Sequence, residues 1–329
     1  MLKQQLITTI FSIIISIPAC FASYPNRYFE ETFATAILLS DNESISLGIA
    51  NFNPDALLSP SHDDFATSIK EGDSIKLRNE LSVYSIPYTF VLDEKNPIWS
   101  DKIMVRFSYV AQKSSNNLLA GTQYQADENS DKIYALYSAY SHYTPLTEKW
   151  KLRLRLGAHL MHFKNQYSYN SSQSNEYKPL LDGIYYNVIA NAAIIEPNAK
   201  LTYTYPTTWG KWQFSADMNY FIGSVYSGAD SSSGAQPKGW RINNGLKLHF
   251  DINQSAMHAE SLYFKFQRID IQGDMVSPLQ TDHYYEVGIG TLLDIHKYTS
   301  FAKNVGIGIN INRGSALSGG SIVFYFNEF

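Results

Sequence analysis

The side chains best placed for chemistry are basic and lie two apart. Lys151, Arg153 and Arg155 alternate with Leu152, Leu154 and Leu156. Successive side chains of a strand point to opposite faces, so this segment has one cationic and one greasy face. Arg78, Arg106, Arg241, Lys247 and Lys265 occupy matching polar phases elsewhere, with Glu80, Asp217, Asp251 and Glu286 as acidic counterparts. Such a set either forms a structural ion network or lines an anion-preferring pore, because charged rings set selectivity where a solute passes. The same residues serve both readings.

Catalytic constellations are harder to assemble. The motifs G-x-S-x-G, H-E-x-x-H and C-x-x-C are absent. His159 and His162 are three apart on a strand, so they face opposite sides and cannot share a metal. Ser141-His142 adjoins a turn and reads as interfacial, and His62, Asp63 and Asp64 read as a solvated acidic loop. No catalytic or metal-binding residue is named, no cofactor is expected, and the chain is not expected to be an enzyme. An outer-membrane lipid hydrolase, with Ser, His and Asn facing lipid on neighbouring strands, is the least favoured alternative.

The elements that must hold these charges repeat one grammar. Trp212, Phe214, Ala216, Met218, Tyr220 and Ile222 alternate with Gln213, Ser215, Asp217 and Asn219. Val305, Ile307, Ile309 and Ile311 alternate with Asn304, Gly306, Gly308 and Asn310. Segments of about ten residues, dyad-patterned and divided by polar loops, are the signature of an outer-membrane β-barrel. Composition agrees: charged residues make up only 17% where about a quarter is usual, aromatics reach 14%, and mean hydropathy is −0.23. A net charge of −4 argues against a nucleic-acid partner, and one Cys precludes a disulfide scaffold.

Working back from Phe329, strands fall near 320–329, 300–312, 281–294, 259–271, 238–252, 210–225, 184–205, 149–166, 131–143, 101–113, 74–91 and 43–51. The fold class is therefore all-β transmembrane, a 12-stranded antiparallel up-and-down barrel with the even strand number such barrels take. Pro197-Asn198 marks an expected bulge or kink in the long segment 184–205. Outer loops are expected at 52–73, 114–130, 167–183 and 226–237, where an extracellular partner would dock. Shorter inner turns lie between them. Trp99, Trp150, Trp209 and Trp212 fall at inner turns and Trp240 at an outer edge, as aromatic girdles require. Phe329 ends an aromatic strand, although Asn327 shares its face.

Residues 1–22 read as a secretory signal peptide, with Lys3, an apolar core and Ala22 before the cut. Ile17-Pro18-Ala19-Cys20 is a competing, loose lipoprotein box. Residues 23–42 form an N-terminal segment and 43–329 the barrel domain. Asn26 can cap a helix from Arg27 to about Leu39 whose Phe29, Phe33 and Ile37 share one face. That helix sits either inside the lumen or on the periplasmic side. Within the lumen, Glu30 and Glu31 would meet Arg78, Arg106, Arg153 or Arg155.

A secretory signal, a short helix and a twelve-stranded barrel closing on a C-terminal aromatic together resemble the translocator domain of autotransporters. The stretch Ile37-Leu38-Leu39-Ser40-Asp41 leading into Ile45-Ser46-Leu47-Gly48-Ile49 adds to the likeness. Roughly 20 residues separate the cut from the first strand, so no passenger is expected. The chain most resembles the solitary autotransporter-like β-barrel proteins of Gram-negative bacteria. That resemblance implies an outer-membrane location, outer-membrane lipids and the barrel-insertion machinery as partners, and Phe329 as the insertion signal. It implies a structural or interaction role with the helix as plug; an anion-preferring diffusion channel is the alternative.

Overall fold

The computed structural model describes residues 24–41, 45–49, 81–92, 101–116, 127–170, 172–254, 259–295, 304–314 and 318–326. Among them twelve strands close an antiparallel barrel: β1 (Ile45–Ile49), β2 (Leu81–Val91), β3 (Lys102–Asn116), β4 (Asp127–Pro145), β5 (Trp150–Ser168), β6 (Ile189–Thr207), β7 (Gly210–Gly228), β8 (Lys238–Gln254), β9 (Ala259–Gly273), β10 (His283–Asp294), β11 (Asn304–Gly314) and β12 (Ser318–Phe326). Each pairs with its neighbours in sequence, and β1 pairs with β12 through Ile45 opposite Phe324 to seal the wall. Closure leaves no open sheet edge, which a membrane-spanning sheet cannot tolerate. No described helix is long and apolar enough to cross a membrane.

Connections are short at one end, with Leu146–Lys149 and Thr208–Trp209 as the tightest. The other end carries the longer loops. The expected loop 167–183 contains a helix, α2 (Ser172–Leu181), counting the N-terminal helix Tyr24–Ser40 as α1. Loop 226–237 includes the 3-10 turn Asp230–Ser232, and a one-turn helix, α3 (Val276–Leu279), follows β9. Loop 52–73, residues 117–126 of loop 114–130, and residues 1–23 lie outside the described residues.

The dyad pattern appears as two chemically distinct faces. Large apolar side chains are exposed on every strand from β2 to β12, among them Ile86, Phe107, Leu156, Met218 and Ile289. A continuous apolar surface on that scale is far beyond what a water-soluble monomer exposes. On β5 the outward face is Leu152, Leu154, Leu156, Ala158 and Leu160, then turns polar at His162, Lys164 and Gln166. Strands of 19 residues, as in β4 to β7, exceed the 9–11 needed to cross a bilayer. They therefore project beyond it at the long-loop end.

Aromatic rows bracket the apolar band. At its upper edge Tyr84, Tyr109, Tyr134 and His162 are successive register partners across β2 to β5, with ring centroids 6.2, 5.1 and 6.3 Å apart. At its lower edge Trp150, Tyr203 and Trp212 form a row with spacings of 4.9 and 5.2 Å, and Trp209 stacks on Phe250 at 4.7 Å. Trp150 and His162 are twelve residues apart on β5. At ~3.4 Å per residue and a tilt near 45°, the rows stand about 29 Å apart, the thickness of a hydrocarbon core.

One irregularity is placed differently from expectation. The register of β6 against β7 shifts between Asn191 and Ala192, and not at Pro197. Proline lacks one ladder donor, but its fixed φ suits an extended chain, so it passes through the strand without adding a residue.

Candidate functional site

The lumen begins with α1. It already includes Tyr24, so Asn26 lies inside the first turn and is not its cap. Phe29, Phe33 and Ile37 are fully buried, as are Ala34 and, on β6, Ala190 and Ala192. Phe163 on β5 meets Phe29 and Phe33 edge-on, with centroids 6.0 and 6.3 Å away. Phe221, Ile269, Ile271 and Met275 continue the same cluster around the wall. Each buried large side chain favours docking by about 1.5–3 kcal/mol. The exposed Arg27–Glu31 pair (2.8 Å) on the helix surface adds at most about 0.5 kcal/mol. Apolar burial therefore holds α1 inside the long-loop half of the barrel. Its other stripe, Tyr28, Glu31, Thr32, Thr35 and Leu39, borders open space.

The helix ends at a polar tie in mid-lumen. Asp41 Oδ1 accepts from Arg106 Nη1 at 2.5 Å, and its Oδ2 accepts from Arg241. Arg241 also donates to Glu196 at 3.1 Å, and His159 Nε2 donates to the other Glu196 oxygen at 2.6 Å. All four wall residues are buried. The Tyr137 ring covers Arg106 at 4.6 Å and His159 at 4.3 Å. Ser85 Oγ donates to the carbonyl of Ser40 at 3.2 Å, taking up one of the acceptors left at the helix C-terminus.

Among the described residues, Glu30 and Glu31 do not meet Arg106, Arg153 or Arg155. Glu30 Oε1 accepts the backbone N–H of Gln236 at 2.8 Å, and Glu31 pairs with Arg27. The reason is axial distance. Eleven residues separate Glu30 from Asp41, about 16 Å of helix, so the glutamates stay near the long loops while Asp41 reaches Arg106.

A cavity of about 1040 Å³ runs from the Tyr28–Leu39 stripe of the helix past the tie and down to Glu148, Lys149 and Trp150 at the short turns. Lys151, Arg153, Arg155, Asp217, Arg241, Lys247, Lys265 and Glu286 all line it, joined by Lys102, Lys200 and Lys211, which the sequence reading did not single out. Arg153 reaches Asn198 at 3.1 Å and Asp217 at 3.4 Å, Lys200 reaches Asp217 at 3.7 Å, and Asn198 donates to Asp217. Arg155 Nε donates to Ser141 Oγ at 2.9 Å, and Lys265 pairs with Glu286. Lys247 lies 5.4 Å from the Tyr263 ring. Arg106 sits above, in the tie. Trp240 is half-buried at the long-loop end of β8, opposite Tyr220. Arg78, Glu80, Trp99 and Phe329 lie outside the described residues.

Asp41, Glu196, His159 and Tyr137 are the functional candidates missed as a group. The phase of β6 would have found Glu196, since it follows Ala190, Ala192 and Ile194 on the inward face. His162 does face outward, toward Asn191 at 2.8 Å, and His142 pairs with Asp101 at 2.7 Å on the outer surface. Among the described residues no group of three or more His, Cys, Asp or Glu is arranged to hold a metal.

The family model described as the solitary outer membrane autotransporter β-barrel domain matches residues 30–328. No curated protein matches the sequence. Among solved structures, the chain is similar to the transport unit of the autotransporter AIDA-I from Escherichia coli, at 11% identity, covering 92% of this chain and 97% of that one with a TM-score of 0.46. It is also similar to the translocator domain of the autotransporter NalP from Neisseria meningitidis, at 9% identity, 75% and 81% coverage and a TM-score of 0.45. LpxR from Salmonella typhimurium matches at 9% identity, 86% and 99% coverage and a TM-score of 0.41.

Proposed function

The chain belongs to the family of solitary outer-membrane autotransporter β-barrel domains, and from that premise we propose that it works without catalysis, as a barrel plugged by its own helix. The observation that supports this reading is α1, whose Phe29, Phe33 and Ile37 are wholly buried against the inward face. The short turns then face the periplasm. Residues 1–22 act as a cleaved signal peptide, Phe329 as the signal read by the insertion machinery, and outer-membrane lipids surround the apolar band. The role is structural, or an interaction with an extracellular partner through the long loops.

A second reading, diffusion of small anions, is favoured by one feature. The cavity continues along the Tyr28, Thr32, Thr35 and Leu39 stripe of the helix, past its tie to the wall. Planar-bilayer conductance separates the two. The plugged barrel conducts only after residues 24–41 are deleted, with heat-modifiable gel mobility confirming that the shortened chain folds. Stable openings from the intact chain would establish the channel instead.

A further inference from the structure

The lumen cavity is more cationic than the chain that builds it. Over its whole length the wall carries ten Lys and Arg against six Asp and Glu, in a chain whose net charge is −4. The excess is arranged in facing pairs. Lys247 and Lys265 are register partners on β8 and β9, and Arg153 and Lys200 are partners on β5 and β6. Like charges directly opposite on neighbouring strands are destabilising. Lys102 and Lys151 approach one ring, Tyr143, with their ammonium nitrogens 5.2 and 4.5 Å from its centroid. Asp217 and Glu286 offset part of this charge within the wall. A cleft lined by one sign of charge, with low-dielectric walls, concentrates counter-ions.

We infer that this cavity binds, from the short-turn side, a ligand carrying several oxyanions in a row on a sugar-like backbone. The whole cavity measures about 1040 Å³, so its cationic part falls within the ~300–1,000 Å³ of small-molecule sites. Tyr143 offers a ring beside Lys102 and Lys151, and Asn243 and Gln267 offer amides, so a ligand with both anionic and hydroxyl-bearing parts is matched. The inference goes beyond the plugged barrel. The cationic part of the cavity holds its ligand whether or not the helix lets anything through.

Isothermal titration of the full chain in detergent tests it, with trigalacturonate, tripolyphosphate and neutral maltotriose as probes. At low salt at least one of the two polyanions binds and maltotriose does not. Trigalacturonate binding alone identifies carboxylates as the oxyanions, and tripolyphosphate binding alone identifies phosphates. The double variant Lys102→Gln/Lys151→Gln and, separately, Lys247→Gln each weaken binding about tenfold or more, as does salt near 0.5 M. Lys178→Gln on α2 leaves it unchanged. Heat-modifiable mobility establishes that each variant is folded. Failure of both polyanions to bind at millimolar concentration, equal binding of maltotriose, or unchanged affinity in both lysine variants overturns the inference. Conductance is not part of the readout, so the plug can fail while the site stands, and the reverse.

Discussion

Asp41 Oδ1 stands 2.5 Å from Nη1 of Arg106, joining the end of the lumen helix to a strand 65 residues further along the chain. Arg106 is 1% exposed and Arg241, which holds the other oxygen, 3%, while Asp41 is about a quarter exposed. Removing the carboxylate leaves two desolvated guanidiniums short of an anion. Asp41→Asn is expected to cost about 3 kcal/mol, the lower end for breaking a buried pair, because water still reaches Asp41. The urea midpoint in detergent micelles, followed by tryptophan fluorescence, measures it. Glu31→Gln, which breaks only the exposed pair with Arg27, should cost under about 0.5 kcal/mol.

The apolar seat of the helix makes a second expectation. Phe33 has no exposed surface and meets Phe163 edge-on. Phe33→Ala opens a hole that the surrounding strands cannot close, because their hydrogen-bond ladders fix the wall. A loss of about 3–5 kcal/mol is expected. Leu156→Ala on the outward face, 61% exposed, should cost far less, since surrounding chains of detergent or lipid refill the space. The contrast between the two midpoints is the measurement.

The difference between those two leucine and phenylalanine sites also explains what could be read from the sequence. Around Leu152 to Leu160 one face meets an apolar solvent and the other encloses polar groups, so side-chain alternation marks each strand and its phase. On β6 in the long-loop half the inward face is apolar as well, because it packs on α1. Residues 189–195 read Ile-Ala-Asn-Ala-Ala-Ile-Ile, and there the dyad signal fades. The expected start of this strand, near 184, falls at Ile189 in the structure for that reason. Asp41 was invisible as a site residue because its role depends on how deep the helix reaches, a length set by tertiary packing. The girdle was legible through tryptophan at one edge only; at the other it is made of Tyr84, Tyr109 and Tyr134, too common a residue type here to stand out.

Gly157 gives a prediction with a steric cause. It lies on the inward face of β5 beneath the Tyr137 ring, and a Cβ there would run into the ring edge and hydroxyl. The ring is not free to swing, being held between Arg106 and His159. Gly157→Ala should therefore destabilise the barrel by about 1–3 kcal/mol, as overpacking does. The double variant Gly157→Ala/Tyr137→Phe, which removes the hydroxyl from the crowded site, should recover part of the loss. A thermal midpoint from heat-modifiable gel mobility reads both.

Asp274, in the turn after β9, supplies a pH dependence. Burial raises its carboxyl pKa above the usual carboxylate range; the N–H of Lys238, donated at 2.8 Å, opposes the shift, and the nearby Glu30 and Glu31 add to it. A raised folded pKa means that the native state favours the protonated form. Its stabilising contribution is complete below the unfolded carboxyl pKa of about 3.9 and is lost as pH rises through the higher folded value. Because the side chain is partly solvated, the effect should stay under about 1 kcal/mol. Asp274→Asn keeps an acceptor for Lys238 and removes the charge, so it should match or exceed the native chain in stability at neutral pH and lose this part of the dependence below it. Urea midpoints of both proteins between pH 4 and 7 check the sign: a variant less stable at pH 7 than the native chain would show that the ionised carboxylate is the favoured form.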